Sequence, residues 1–152
     1  MIKPIPRRLG FAAFAALLLF WAPAWAINLD SPVGLWRTID DNTGKPRAII
    51  RIFEQGGRLY GVVMQVLDPR DAGKMCEKCT DDRRGKPVLG LDIIRGLVRD
   101  GDHWGGGTIL DPENGKTYRC RLTLRSGGER LAVRGFLGIA LLGRTQVWQR
   151  VN

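Results

Sequence analysis

If this chain performs chemistry, it has few residues to draw on. Cys76-Glu77-Lys78-Cys79 is the one close pair of thiols, with a third cysteine at Cys120 and a single histidine, His103. The C-x-x-C spacing admits a disulfide, a redox pair or half of a zinc site. A redox pair wants a helix N-terminus in a βαβ setting, which no segment here offers. Zinc needs about four ligands, so Cys120 and His103 would both have to converge on the pair. In an exported chain, which the N-terminus argues below, a Cys76–Cys79 disulfide is the expected outcome. Cys120 is then a buried thiol, and a bond from it to one of the other two cysteines is the alternative. Asp40-Asp41 and Asp81-Asp82 sit among turn residues, where solvation accounts for them better than general acid–base work. No Ser, His and acid, or Cys, His and acid, fall in a recognisable local setting. Gly105-Gly106-Gly107 lacks the spacing of a nucleotide loop and opens no helix, so it reads as a bend inside a strand. Neither catalysis, a metal centre nor a cofactor is expected.

The N-terminus sets the compartment. Lys3, Arg7 and Arg8 precede an apolar run from Leu9 to Trp21, and Ala22-Pro23-Ala24-Trp25-Ala26 places small residues before a cleavage point after Ala26. That is the pattern of a secretory signal peptide over residues 1–26. A membrane anchor would need ~20 apolar residues, and Pro23 breaks the end of this run. The mature chain, 27–152, is expected to be periplasmic or secreted and to hold no transmembrane segment. It is long enough for one domain with one core. The formal charge of +9 over the whole chain owes three units to the leader. The remaining excess suits anionic lipid or an envelope polymer as well as it suits plain solubility. A nucleic acid partner is not expected.

After the leader come eight segments with the habits of strands: 33–40, 47–54, 58–67, 91–99, 103–111, 116–125, 130–136 and 143–151. The clearest alternation is in 116–125, where Tyr118, Cys120, Leu122 and Leu124 share one side and Thr117, Arg119, Arg121, Thr123 and Arg125 the other. Regular strands with Gly, Asn and Asp between them, and no helical period, predict an all-β domain, a small eight-stranded up-and-down barrel. The one long interruption is 68–90, rich in charge and without apolar periodicity, which reads as a lid, a binding loop or disorder. In an up-and-down meander this loop shares one end with 41–46, 112–115 and 137–142. The short glycine-rich hairpins and both mature termini share the other. The result is a closed base and a mouth, suited to a cavity unless the barrel fills with its own side chains. Two mouth turns, from Asp40 to Lys45 and from Asp111 to Lys116, both read D-x-x-x-G-K. An acid at position twelve is missing (Arg51 stands there), so calcium is rejected. Asp capping and a left-handed Gly explain the pattern, and both Lys residues reach the mouth as candidate anion contacts.

Gly34-Leu35-Trp36 on the first strand resembles the lipocalin signature, in which the Trp closes the base and a late Arg packs over it; Arg144 or Arg150 could supply that cation. A longer set, GLWRTIDDNTGKPR, MCEKC, KPVLGL, WGGGTILDPENGKTYRC and RGFLGIALLGRTQVWQR, resembles in this order the bacterial family known as domain of unknown function 2147. The resemblance spans essentially the whole mature chain. It implies a signal peptide and a lipocalin-like barrel, and it implies no activity.

Two surfaces could therefore work. The interior, with Trp36, Tyr60, Trp104, Tyr118 and Trp148 as its aromatic lining, would hold a small apolar or amphipathic ligand. Alternatively the outward rows Arg119, Arg121 and Arg125 beside Arg130 and Arg134 would dock on an anionic envelope lipid or polymer around a filled barrel.

Overall fold

The computed structural model describes residues 28–139 and 143–152; the expected leader and its cleavage point lie outside them. Eight antiparallel strands follow one another: β1 (Gly34–Ile39), β2 (Pro46–Gln55), β3 (Arg58–Val66), β4 (Asp92–Asp100), β5 (His103–Asp111), β6 (Lys116–Arg125), β7 (Arg130–Phe136) and β8 (Gly143–Val151). Each pairs with its sequence neighbour, and β1 pairs with β8, so the sheet is a closed up-and-down barrel. β5 to β8 carry the limits that alternation and turn residues predict, β3 differs by one residue at one end, and β1, β2 and β4 differ by one residue at both ends.

The alternation in β6 holds. Cys120 and Leu122 are buried while Arg119, Arg121 and Arg125 are exposed. Across the ladder Leu122 faces Val133, and Leu131 faces Trp148. These residues join Trp36, Ile50, Ile52, Leu59, Ile94 and Leu97 in one core cluster. The glycine triplet makes the expected bend: the β5–β6 register shifts between Trp104 and Gly107. The β4 backbone at Arg95–Leu97 occupies the space where a Gly107 Cβ would stand. Only glycine lets the two strands approach this closely.

The base is closed by a single cation. The Arg150 guanidinium lies 4.3 Å from the centroid of the Trp36 ring. It donates to the carbonyls of Gly128 (2.7 Å), Ser31 (2.8 Å) and Val33 (3.1 Å). Trp36 is fully buried and donates its indole N–H to the Pro32 carbonyl at 2.7 Å. Of the two expected candidates, the antiparallel seam selects Arg150, which stands opposite Trp36; Arg144 stands opposite Gly135.

Candidate functional site

The four connections at the mouth differ in kind. Both D-x-x-x-G-K turns form as their sequences suggest. The Asp40 carboxylate accepts from the Asn42 and Thr43 backbone N–H groups, and that of Asp111 from Glu113. Of the three readings open for residues 68–90, disorder does not hold: the connection is ordered, and part of it borders the barrel opening. A short 3-10 turn at Pro69–Asp71 is capped by Asp68, Cys76 and Cys79 form a disulfide, and Met75 bridges to Pro87. The two half-cystines are almost fully buried and belong to the core cluster. With both sulfurs bonded to each other, they are closed to zinc and to Cys120. Cys120 is a free thiol, which burial pushes up to about 12.

What anchors the loop is Arg83, at 1% exposure. Its guanidinium donates to the Asp92 carbonyl at 3.0 Å, the Thr117 hydroxyl at 3.1 Å and the Asp81 carboxylate. Asp82 adds a two-pronged pair with Arg95 at 2.8 and 2.9 Å. Gly115, with φ of 73°, meets the loop backbone at Lys78 where any Cβ would overlap it. The loop thus splits into an arm beside the barrel opening and a block docked on β4 and the β5–β6 turn.

Acid should undo this docking first. Hydrogen bonds from Arg70 and Arg95 hold the carboxyls of Asp68 and Asp82 down at about 2. A depressed carboxyl stabilises the fold fully above its unfolded value, ~4, and that contribution is lost as pH falls toward the folded one. Hydrogen-exchange protection over residues 68–92, corrected for intrinsic rates, should therefore drop between pH ~4 and ~2. Protection in β7 and β8 should persist over the same range.

Between the mouth loops lies a cavity of about 780 Å³, within the size range of small-molecule sites. Its deeper wall is apolar, with Val63, Ile93, Ile109, Val133 and Trp148 among the lining residues. Its rim is charged and internally paired. Arg47 meets Asp71 at 2.7 Å and Glu113 at 3.1 Å, Lys74 meets Asp71 at 2.6 Å, and Arg144 pairs with Asp41. Burial raises the Asp71 pKa, but hydrogen bonds from Arg47 and Lys74 outweigh it and keep the carboxyl below its ordinary value. Tyr118 stands between wall and rim, its hydroxyl accepting from the Asn114 amide at 3.0 Å. From Trp148 a polar chain runs outward through Gln146 to Asp41. This arrangement can hold a molecule with an apolar body and a polar end.

Of the five aromatic residues expected in the interior, Trp36, Trp104 and Trp148 are buried in the core, and only Tyr118 and Trp148 line the cavity. Trp36 is consumed by the base closure. Trp104 sits toward the base with Arg99 over its ring at 5.4 Å. Tyr60 is a correction of a different kind. It pairs with Phe53 and stacks on it at 5.9 Å, next to Gly61, which faces the inward residues Ile52 and Ile94; Tyr60 is therefore on the outer face. Lys45 and Lys116 are exposed beside the mouth and do not line the cavity. Sequence reasoning missed the rim pairs, whose partners are far apart along the chain. The arginine rows do assemble on one outer face: Arg121 stands opposite Arg134, and Arg125 opposite Arg130. Arg119, Arg121, Arg125 and Arg130 are exposed and make no ion pair among the described residues, whereas Arg134 is half-buried and donates to the Thr145 hydroxyl.

A closed eight-stranded meander with a plugged base and an open mouth has the architecture of a lipocalin-like barrel. The solved structure of protein HP1028 from Helicobacter pylori, described as belonging to the lipocalin family, superimposes on this chain with a TM-score of 0.70 at 21% identity. The alignment covers 80% of this chain and 84% of that one. No curated protein matches the sequence. Residues 34–150 match the family described as "uncharacterized protein conserved in bacteria (DUF2147)", and the chain belongs to that family.

Proposed function

We propose that this is an exported binding protein that holds a small amphipathic ligand in the barrel, tail inward and polar end at the rim. The observation that carries the reading is the cavity itself, apolar at depth and ringed by polar groups at the mouth. The lipocalin-like fold supports it. The buried Cys76–Cys79 disulfide supports an oxidising compartment and so export. The test is uptake of an apolar, environment-sensitive fluorescent probe. Gly135 lines the cavity, with Tyr118 and Ile109 in van der Waals reach of an added Cβ. Gly135→Leu therefore fills the space and should weaken uptake by more than ~tenfold, ~1.4 kcal/mol. Tyr118→Ala should weaken it less. Uptake that survives both substitutions would sink the proposal.

A second reading rests on the arginine face, where like charges stand directly opposite each other at 121/134 and 125/130, an arrangement that favours a bound polyanion. Under it, lipopolysaccharide binding should fall steeply with salt and disappear on changing Arg119, Arg121 and Arg134 together to Gln. Under the cavity reading, the same triple change leaves probe uptake intact.

A further inference from the structure

Large apolar side chains exposed singly are ordinary on a protein surface. Here their distribution is not even. The most exposed are Ile139 at 60%, Leu89 at 59% and Leu137 at 56%, then Met64 at 48% and Met75 at 44%. All five lie at the mouth: Leu137 and Ile139 after β7, Met75 and Leu89 in the β3–β4 connection, and Met64 near the mouth end of β3. The apolar surface is also continuous with the interior, since Met75 and Leu137 are exposed outside and line the cavity inside. Around these tips stand Lys45, Lys78, Arg84 and Lys116, exposed and without ion pairs among the described residues. Among the nearby acids, Asp40, Asp41, Asp71 and Glu113 are engaged by arginine or lysine, while Glu77 and Asp111 make no ion pair among the described residues, so the four unpaired cations outnumber the unpaired acids at this end. Apolar tips inside a cationic collar match the two layers of an anionic lipid surface, acyl boundary and headgroup.

Building on the cavity reading, we infer that the mouth docks on a lipid bilayer, with Leu89, Leu137 and Ile139 entering the acyl boundary. An amphipathic ligand then passes between bilayer and cavity past Met75 and Leu137 without crossing water. Position-specific labelling of the full chain tests this. Cys76 and Cys79 are bonded and Cys120 is buried, so an introduced cysteine is the one reactive thiol. An environment-sensitive fluorophore on Ile139→Cys or Leu89→Cys should shift to the blue on adding phosphatidylglycerol–phosphatidylethanolamine vesicles. The same fluorophore on Gln55→Cys, in the β2–β3 hairpin at the base, should not. Changing Leu89 and Ile139, neither of which lines the cavity, together to Ser should lower vesicle partitioning more than ~tenfold and leave probe uptake in vesicle-free solution unchanged. Vesicle binding with no shift at 139 and 89, as attachment through the N-terminal apolar run or the arginine face would give, overturns the inference. So does a shift at 55 that matches the others, or no binding at all. Gly135→Leu keeps the two failures apart: it removes probe uptake if the cavity reading holds and leaves the shifts at 139 and 89 in place either way.

Discussion

Replacing Arg150 by Ala should destabilise the barrel by about 3–5 kcal/mol. Hydrogen bonds from a charged donor contribute ~1.5–3 kcal/mol each, and this guanidinium makes three, to carbonyls on both sides of the base. It also covers the Trp36 indole, adding ~1 kcal/mol or more where water is excluded. These contributions share one side chain and do not sum fully. Without it, three carbonyls lose their donor and the segment entering β1 loses its tie to the β6–β7 turn. Urea unfolding followed by tryptophan fluorescence gives the number. Arg150→Lys keeps the charge but cannot offer a planar fork to three acceptors, so it should recover less than half of the loss. A loss below ~1 kcal/mol for Arg150→Ala would show that the base closes without its cation.

The second large effect is expected at Arg83. Changing it to Ala should cost about 2–4 kcal/mol, because a fully buried cation with several acceptors leaves them unsatisfied. The response should also be local. Limited proteolysis should cut within residues 77–90 in the variant and not in the parent. The β6–β8 amides should keep their exchange protection, since their ladder makes no use of Arg83. Simultaneous loss of protection in β6–β8 and the loop would mean that the connection is part of the barrel's cooperative unit rather than a docked block.

The same two arginines show what could be read from the chain. The strands were legible because Leu, Ile and Val alternate with Arg and Thr between glycine-rich turns, and a period of two has one structural meaning. Arg150 was half legible: Gly34-Leu35-Trp36 announces a base, and closure of an antiparallel barrel puts the end of β8 beside the start of β1. Arg83 was not legible. In a stretch as charged as 68–90 every side chain looks solvated, and its partners, Asp92 and Thr117, belong to strands that come later in the chain. Tyr60 was misplaced because aromatic residues fit either face of a sheet, and only the pairing of Gly61 with Ile52 fixes the phase of β3. Trp104 shows the limit of alternation: it separates inward from outward and says nothing about depth, so it cannot tell a cavity wall from the packing beneath it. The rim depends on pairings such as Arg47 with Glu113 and Arg144 with Asp41, which no local pattern encodes.

The seam between β1 and β8 joins Leu35 to Val151, Trp36 to Arg150 and Arg37 to Gln149. The residues that complete the barrel are therefore synthesised after all seven other strands. Until they arrive, the growing chain is an open sheet with two bare edges, the form most exposed to pairing with another copy. Contacts between the first and last strands are also slow to form, because the entropy of closing all the intervening chain must be met before they return any stability. A product that stops within β8, before Gln149, would lack Arg150 and the seam together and would resemble an unfinished barrel rather than a weakened one.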